Sequence, residues 1–374
     1  MLRNLPTLLT FGWLLLVALL GTLLRWHQLA PVEGLVYPWW LHAHSHLAFL
    51  GWLFNAFFLL FTQNLPSTAG RSARRLFGWM QLPLVGMLLS FPLSGYSAVS
   101  IFFSTLHICF AWFFAWKWWR HWQQQLSGSW LPTARAALVL MVISNVGPFV
   151  VGAAQATENR TLYEQALHFY LYFQYAGWFS LAAWAVLQRH FDLDGRTLLR
   201  PLLGYLLAYY AFSTWWSGGA AVPLLVMLAM LIWLLLEVKK MQFTRTWSPL
   251  LVLIVSSWAL KNLLELLYLV PAIAHWSEHI RLLQIGYLHL YFLGILSSTV
   301  LLTLRPARRW QLGWVLGAGF TLLLLLLGPW LGAWLGHEWL TVGLFTAALA
   351  LLLIIFFYFL NLVQAWQISP VQNR

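Results

Sequence analysis

Apolar stretches long enough to cross a membrane follow one another through almost the whole of this 374-residue chain. A helix of about 20 residues spans the ~30 Å hydrocarbon core of a bilayer. Hydrophobic residues make up 61% of the sequence and charged residues only 8%, a balance that excludes a soluble surface. No long polar segment interrupts the pattern. The sequence therefore predicts an all-α, polytopic membrane protein that forms a single transmembrane helical domain over residues 1–374.

The apolar stretches predict twelve transmembrane helices. Their expected bounds are 7–24, 39–63, 76–94, 99–119, 134–154, 166–188, 198–212, 222–237, 248–270, 281–304, 311–332 and 339–362. The seventh and eighth are short and are separated by Ser217, Gly218 and Gly219, which indicates a tilted or interrupted pair.

The distribution of basic residues predicts the orientation in the membrane. With the N-terminus inside, only Arg25, Arg160 and Arg281 fall in outer segments, and Lys261 lies within a helix. The cytoplasmic segments hold Arg3, Arg71, Arg74, Arg75, Lys117, Arg120, Arg135, Arg189, Arg196, Arg200, Lys239, Lys240, Arg245, Arg305, Arg308, Arg309 and Arg374. This bias predicts that both termini lie in the cytoplasm. We expect the membrane to be a bacterial-type inner (cell) membrane. The net charge of +12 then reflects topology and contact with the lipid bilayer, and we expect no nucleic-acid partner.

Six histidines lie inside the predicted helices, and they come from four different helices that all enter from the outer face. They are His42, His44, His46, His107, His168 and His289. His46, His107 and His289 lie about 10–12 Å below the outer boundary, because each is seven or eight residues into its helix. An imidazole at that depth is costly unless it has a partner, so the layer predicts a metal or haem site. For His107 and His168, a hydrogen bond to a neighbouring backbone carbonyl remains an equal alternative.

The second predicted helix carries the densest histidine cluster. His42 and His46 share a helix face because they are four residues apart, while His44 points the other way. Neutral imidazole is the usual protein ligand of haem iron, and two axial histidines suit electron transfer. Small residues beside the cluster would let a macrocycle or a neighbouring helix approach: Ala43, Ser45, Ala48 and Gly51. The sequence has no Cys-x-x-Cys-His motif, so a haem would be held by side-chain ligation alone.

The stretch from His44 to Trp52, HSHLAFLGW, resembles the second-helix segment of haem-copper oxidase subunit I and its relatives, particularly the nitric oxide reductase branch. The resemblance implies the subunit I-like bundle of twelve helices with both ends inside. It also implies a b-type haem with His46 as one axial ligand and His44 as the fallback. The other axial ligand falls on His289, in the segment from Tyr287 to Tyr291.

The same resemblance is weaker for copper. His168 and Tyr172 match the family's His and Tyr beside copper, but residues 209–216 lack the histidine pair that completes such a site. Tyr291 stands where the family has a second histidine in helix ten. Copper therefore stays an open cofactor, and we do not expect oxygen reduction. The resemblance implies a divergent haem protein for respiratory electron transfer or nitric oxide chemistry, supplied by an electron-donor protein or a quinone. If the protein is an enzyme, the resemblance implies an oxidoreductase.

Two further charged features lie on the ninth and tenth predicted helices. Lys261 and Glu265 are four residues apart on one helix face, and they suit a proton relay, a substrate counter-ion or a structural ion pair, of which we favour the last. Arg281 stands two turns above His289 and would pair with haem propionates or extend to lipid headgroups.

Two other classes of function stay open. Twelve helices also suit a transporter or channel that uses its histidines, Lys261 and Glu265 for protons or a metal ion. The sequence lacks paired Gly- or Pro-broken helices at matching positions in its two halves, which are typical of carriers. A haem- or copper-dependent nitric-oxide-response membrane protein is the third class.

Overall fold

A computed structural model describes residues 5–193, 196–215, 219–239 and 248–368. Several residues of the sequence analysis lie outside these ranges: Arg3, Trp216, Ser217, Gly218, Lys240, Arg245 and Arg374. The side chain of Arg196 is also outside the described part. Within these ranges the chain is helical apart from short connections, and no strand is present. The predicted all-α class is confirmed.

The described residues form the following helices, numbered in chain order. They are α1 (Leu5–Leu29), α2 (Tyr37–Thr62), α3 (Ser67–Ser94), α4 (Ala98–Gln125), α5 (Leu131–Ala156), α6 (160–191), α7 (Arg196–Trp215), α8 (Ala221–Lys239), α9 (Pro249–Tyr268), α10 (Pro271–Glu278), α11 (Arg281–Leu304), α12 (Arg308–Leu335) and α13 (His337–Ile368). Local sequence explains two of the helix starts. The side chains of Asn159 and Ser248 accept hydrogen bonds from the backbone N–H groups of Leu162 and Leu251, which caps α6 and α9.

Nine of these helices are long and apolar enough to cross a membrane: α1 to α5, α9 and α11 to α13. The other three predicted spans coincide with α6, α7 and α8. In the described residues, none of these helices meets the length and the hydropathy conditions together. The apolar part of α8, for example, is Ala221–Leu236. Nine such helices make this a polytopic helical protein of membrane type.

The chain divides into two compact units. Unit 1 consists of the described residues of 1–114 and 300–374, and unit 2 consists of the described residues of 115–299. Unit 1 therefore contains His42, His44, His46 and His107, and unit 2 contains His168 and His289. The single transmembrane domain of the sequence analysis stays a prediction.

The core of unit 1 forms where α1, α2 and α3 meet. Its buried members are Trp13, Val17, Leu20, Ala43, Leu47, Leu84, Met87 and Phe91. The close approach needs small residues, since a Cβ atom on Gly51 would lie 3.2 Å from the Trp13 ring. Gly95 ends α3 with φ +57°, and a Cβ there would lie 2.5 Å from Trp39. The small face of α2 at Gly51 thus receives a neighbouring helix.

In unit 2, α5 packs along α6, α7 packs on α8, and α9 packs on α11. A Cβ on Gly147 would lie 2.5 Å from Tyr170 Cβ, so glycine is required where α5 and α6 approach each other. The Ser144 hydroxyl donates a hydrogen bond to Gln174 Oε1 (2.7 Å), which joins the same two helices inside the unit.

Long helices of this protein expose large apolar side chains. Trp79 and Leu89 of α3 are 64% and 61% exposed, and Leu316 of α12 is 71% exposed. A soluble protein rarely exposes contiguous apolar surface on this scale, whereas hydrocarbon solvates it without cost. These faces are suited to contact with lipid.

Candidate functional site

His44 faces α1 and ties two helices of unit 1 together. Its Nδ1–H donates a hydrogen bond to the carbonyl oxygen of Val17 (3.0 Å). Its ring lies against Gly21, where a Cβ atom would come within 3.0 Å of His44 Cε1. This contact explains the small residue on α1, and it gives the fallback ligand of the sequence analysis a structural role between helices.

His46 faces the opposite side of α2, as the spacing predicts. Its Nδ1 lies 3.0 Å from the carbonyl oxygen of His42, one turn earlier in the helix. A carbonyl oxygen only accepts hydrogen bonds, so Nδ1 must carry the proton, and Nε2 is the lone-pair nitrogen of the neutral ring. A metal-binding histidine is commonly oriented in this way, with one ring nitrogen fixed by a carbonyl and the other directed at the metal.

Aromatic side chains from α3 and the residues after it line the same face of α2. The His46 ring packs 4.4 Å from the Phe91 ring, and the His42 ring lies 4.5 Å from the Tyr96 ring. Phe91 and Tyr96 also contact each other edge to face at 5.2 Å. His42 and His46 therefore share an aromatic wall, which fixes both rings by packing.

His107 brings a third imidazole to this region of unit 1. It lies on α4, is only 1% exposed, and contacts Phe54 edge to face at 5.0 Å. The contact with Phe54 places His107 against α2, eight residues after His46. Within the described part of the chain, its Nε2 is buried and has no hydrogen-bond partner. A buried nitrogen without a partner costs free energy, so its position needs an explanation such as a ligand.

A π-helical segment begins directly after His46 and another directly after His289. They are Leu47–Phe54 and Leu290–Ser297. The sequences that start these segments, HLAFLG from His46 and HLYFLG from His289, agree at five of six positions. Two further π-helical segments are Phe173–Phe179, which follows Tyr172, and Trp118–Trp122. Such segments are rare and occur frequently at functional sites. The sequence analysis missed this internal repeat, although the printed sequence contains it.

His289 of unit 2 has the same local arrangement as His46. Its Nδ1–H donates to the carbonyl oxygen of Ile285 (2.8 Å), so its Nε2 is also the lone-pair nitrogen of the neutral ring. The ring is half-buried. Arg281 is exposed at the first residue of α11, where it is available to a carboxylate or to lipid headgroups.

His168 lies in an aromatic stack of unit 2. Its ring is parallel to that of Tyr210, with centroids 5.5 Å apart, and lies 6.1 Å from that of Tyr172. The Tyr172 hydroxyl donates to the carbonyl oxygen of Leu206 (2.9 Å), which joins α6 to α7. In the described residues, Nε2 of His168 is buried without a partner.

Unit 2 contains a second polar centre around Glu265, which is 1% exposed. Lys261 Nζ lies 2.7 Å from Glu265 Oε2, so the predicted ion pair is confirmed. Three tyrosine hydroxyls also donate to the carboxylate: Tyr205 at 2.9 Å, Tyr287 at 2.9 Å and Tyr291 at 3.4 Å. Sequence analysis missed the tyrosines. The four-residue spacing of Tyr287 and Tyr291 was the available signal, but their common partner lies on another helix.

Lys261 is also buried and is 3% exposed. Its ammonium donates to Asn262 Oδ1 (3.2 Å) and lies over the rings of Tyr205, Trp258 and Tyr291 at 5.0, 5.5 and 5.8 Å. Cation–π contacts and a paired carboxylate together replace the water that a buried ammonium loses. We name Lys261, Glu265, Tyr205, Tyr287 and Tyr291 the Glu265 centre.

The structure brings some predicted site residues together and leaves other pairings open. His42, His46 and His107 belong to one region of unit 1, whereas His44 faces away from it. The pairing of His46 with His289 stays a prediction, since the two residues belong to different units. No three His, Cys, Asp or Glu side chains in the described ranges are placed to share one metal ion. Neither a protein-family model nor a curated protein matches this sequence.

Proposed function

We propose that the protein is a multi-pass membrane cytochrome that carries a b-type haem, with His46 as one axial ligand and His289 as the second. In this proposal it spans a bacterial-type inner membrane twelve times, has both termini in the cytoplasm, and shares the subunit I-like bundle of the haem-copper oxidase superfamily. It serves respiratory electron transfer or nitric oxide chemistry, with an electron-donor protein or a quinone as its partner.

The observation that carries the proposal is the orientation of His46. Its Nδ1 is committed to the His42 carbonyl, which presents the Nε2 lone pair on a face lined by Phe91 and Tyr96. Flat aromatic and apolar surroundings suit a porphyrin, and the fixed ring loses little freedom on ligation. A haem bound in this way supplies one-electron redox chemistry. The protein's part is to hold the ring, set its tautomer and exclude water.

The repeat around His289 supports the choice of the second ligand. His289 has the same bond to the carbonyl four residues earlier and is followed by the same π-helical geometry. Because His46 and His289 share this local geometry, we assign both the same role as axial haem ligands. Copper and the use of His107 and His168 as metal ligands stay predictions, although the buried Nε2 atoms of both would accept a metal or a hydrogen bond.

Optical spectroscopy with iron quantification tests this function. Protein purified in mild detergent should show the α-band of a low-spin b-type haem in the reduced-minus-oxidised spectrum, with stoichiometric iron. His46→Ala and His289→Ala should each abolish the low-spin signal. His44→Ala is the matched control, because His44 lies on the same helix but faces α1, and this variant should keep the band. A colourless, iron-free wild-type protein would exclude the proposal.

A second candidate function is a transporter for protons or a metal ion. The observation that favours it is the Glu265 centre, since an ionisable pair within a membrane helix is rare and commonly marks an ion path. His46→Ala separates the candidates. A carrier reconstituted in liposomes would lose flux without any spectral change, whereas the cytochrome loses its band. A haem-dependent nitric-oxide-response protein would share the band and lack electron transfer to a quinone or a donor protein.

A further inference from the structure

A cavity of about 310 Å³ lies in unit 1 at the end of the helices that carries Arg71, Arg74 and Arg75. The beginning of α1, the end of α2 and the first turns of α3 form its walls. Phe58 and Phe77 line it from the buried side, and both are 1% exposed. The side chains of Thr62, Asn64 and Arg74 line it as well. The cavity is thus apolar on one side and polar with a positive charge on the other.

Arg74 is folded back toward the start of α3. Its Nη1 lies 3.6 Å from the position that a Cβ atom on Gly70 would take, so the guanidinium lies beside the residue one turn earlier in the helix. Along α3, Gly70 and Phe77 are separated by about 10 Å, from seven residues at 1.5 Å each. The guanidinium and the apolar wall are therefore spaced like the headgroup and the upper acyl chain of a lipid.

The positive charge at this end lacks a counter-charge from unit 1. The first turn of α3 holds no acidic residue, and its N-cap residue, Pro66, makes no side-chain capping bond. The N-terminus of a helix favours anions, so three arginines in its first turns add to an existing positive potential. The acidic residues in the sequence of unit 1 are Glu33 and Glu338, which follow α1 and begin α13, both at the opposite end of α1 and α3. An anion from outside unit 1 would complete this site.

We propose that this cavity binds the phosphate headgroup of an anionic phospholipid, with Arg74 as the principal contact. A guanidinium forks onto phosphate oxygens, and the side-chain amide of Asn64 supplies a neutral donor beside it. The glycerol and the first acyl methylenes lie against Phe58 and Phe77. Basic pockets between membrane helices bind such headgroups, and each nearby arginine strengthens the attraction.

Native mass spectrometry of the full-length, delipidated protein in detergent tests this proposal. The probes are dioleoyl phosphatidylglycerol, dioleoyl phosphatidylcholine and inorganic phosphate. Phosphatidylglycerol should bind more tightly than phosphatidylcholine, and Arg74→Gln should weaken it about fivefold. Arg308→Gln is the matched control because Arg308 is exposed at the start of α12 in the same unit and does not line the cavity; it should change the affinity less than about twofold.

A second variant distinguishes the effect of the arginine charge from the effect of the cavity volume. Gly70→Leu keeps every arginine and places a side chain at the cavity wall, where the nearest atoms allow an ordinary contact, so it should also reduce phosphatidylglycerol binding. Equal binding of both lipids, or equal loss in Arg74→Gln and Arg308→Gln, overturns the proposal. Binding of inorganic phosphate that depends on Arg74, without binding of phosphatidylglycerol, also overturns it by assigning the cavity to a free anion.

Discussion

The histidine region of unit 1 (His42, His46 and His107) and the Glu265 centre of unit 2 both bury polar groups in membrane-type helices. The two differ in how many of these polar groups have hydrogen-bond partners. Each oxygen of Glu265 accepts at least two hydrogen bonds or charged contacts, and Lys261 is enclosed by aromatic rings. In the described part of unit 1, His107 Nε2 has no partner, and His46 presents a lone pair beside an aromatic wall.

This contrast distinguishes a structural ion pair from a candidate ligand site. A polar group without water must find its partners within the protein or in a ligand. The Glu265 centre has found them among its own helices, which favours the structural ion pair that the sequence analysis expected. Among the histidines of unit 1, His107 Nε2 has no partner in the described residues and stays available to a ligand.

The largest effect is expected at the Glu265 centre. Glu265→Gln removes the charge that balances Lys261 and leaves a buried ammonium, so the free energy of unfolding should fall by about 3–5 kcal/mol. Thermal unfolding in detergent, followed by tryptophan fluorescence, measures this loss. The double variant Lys261→Met/Glu265→Gln removes both charges and should recover much of it. A stable Glu265→Gln single variant would show that the centre is not a structural ion pair and would strengthen the transporter candidate.

A smaller effect is expected when one tyrosine loses its hydroxyl. Tyr287→Phe keeps the ring and removes one of the donors to Glu265, whose other partners remain, so unfolding should become easier by about 0.5–1 kcal/mol. Trp276→Phe, an exposed change at α10 in the same unit, is a control that should leave stability unchanged. If Tyr287→Phe costs as much as Glu265→Gln, the hydroxyl and the ion pair act as one unit.

The smallest effect on the protein without cofactor is expected at His107. His107→Leu replaces a buried imidazole whose Nε2 has no partner among the described residues, so the free energy of unfolding should be nearly unchanged. His44→Leu, which breaks the bond to Val17, should instead lose about 1 kcal/mol. In protein purified with its haem, His107→Leu should lower the free energy of unfolding if His107 contacts the haem. The same unfolding measurement tests this. Equal losses in both variants without cofactor would erase the contrast between the two histidines.

Much of the local structure could be predicted from the printed sequence. The all-α class and nine long apolar helices follow from stretches of hydrophobic residues, because a helix satisfies its own backbone within one segment. The Lys261–Glu265 contact follows from four-residue spacing on one helix. The opposite directions of His44 and His46 follow from the same periodicity.

The functional partners could not be predicted in that way, because they come from different helices. Tyr205, Lys261 and Tyr287 lie on α7, α9 and α11, and no spacing in the sequence relates them. The wall beside His46 depends on where α3 ends, at Gly95, and on the ring of Phe91 turning toward α2.

By itself, the sequence determined which segments are helices, which faces of them carry histidine, and that hydrocarbon is their suitable solvent, since these properties depend on neighbours within a few residues. Only the tertiary structure decided which buried polar atoms have partners. Packing of separate helices satisfied Glu265 and Lys261 and left His107 Nε2 without a partner among the described residues. The physical reason is that hydrogen bonds act over about 3 Å, a distance that helices reach only after they have packed.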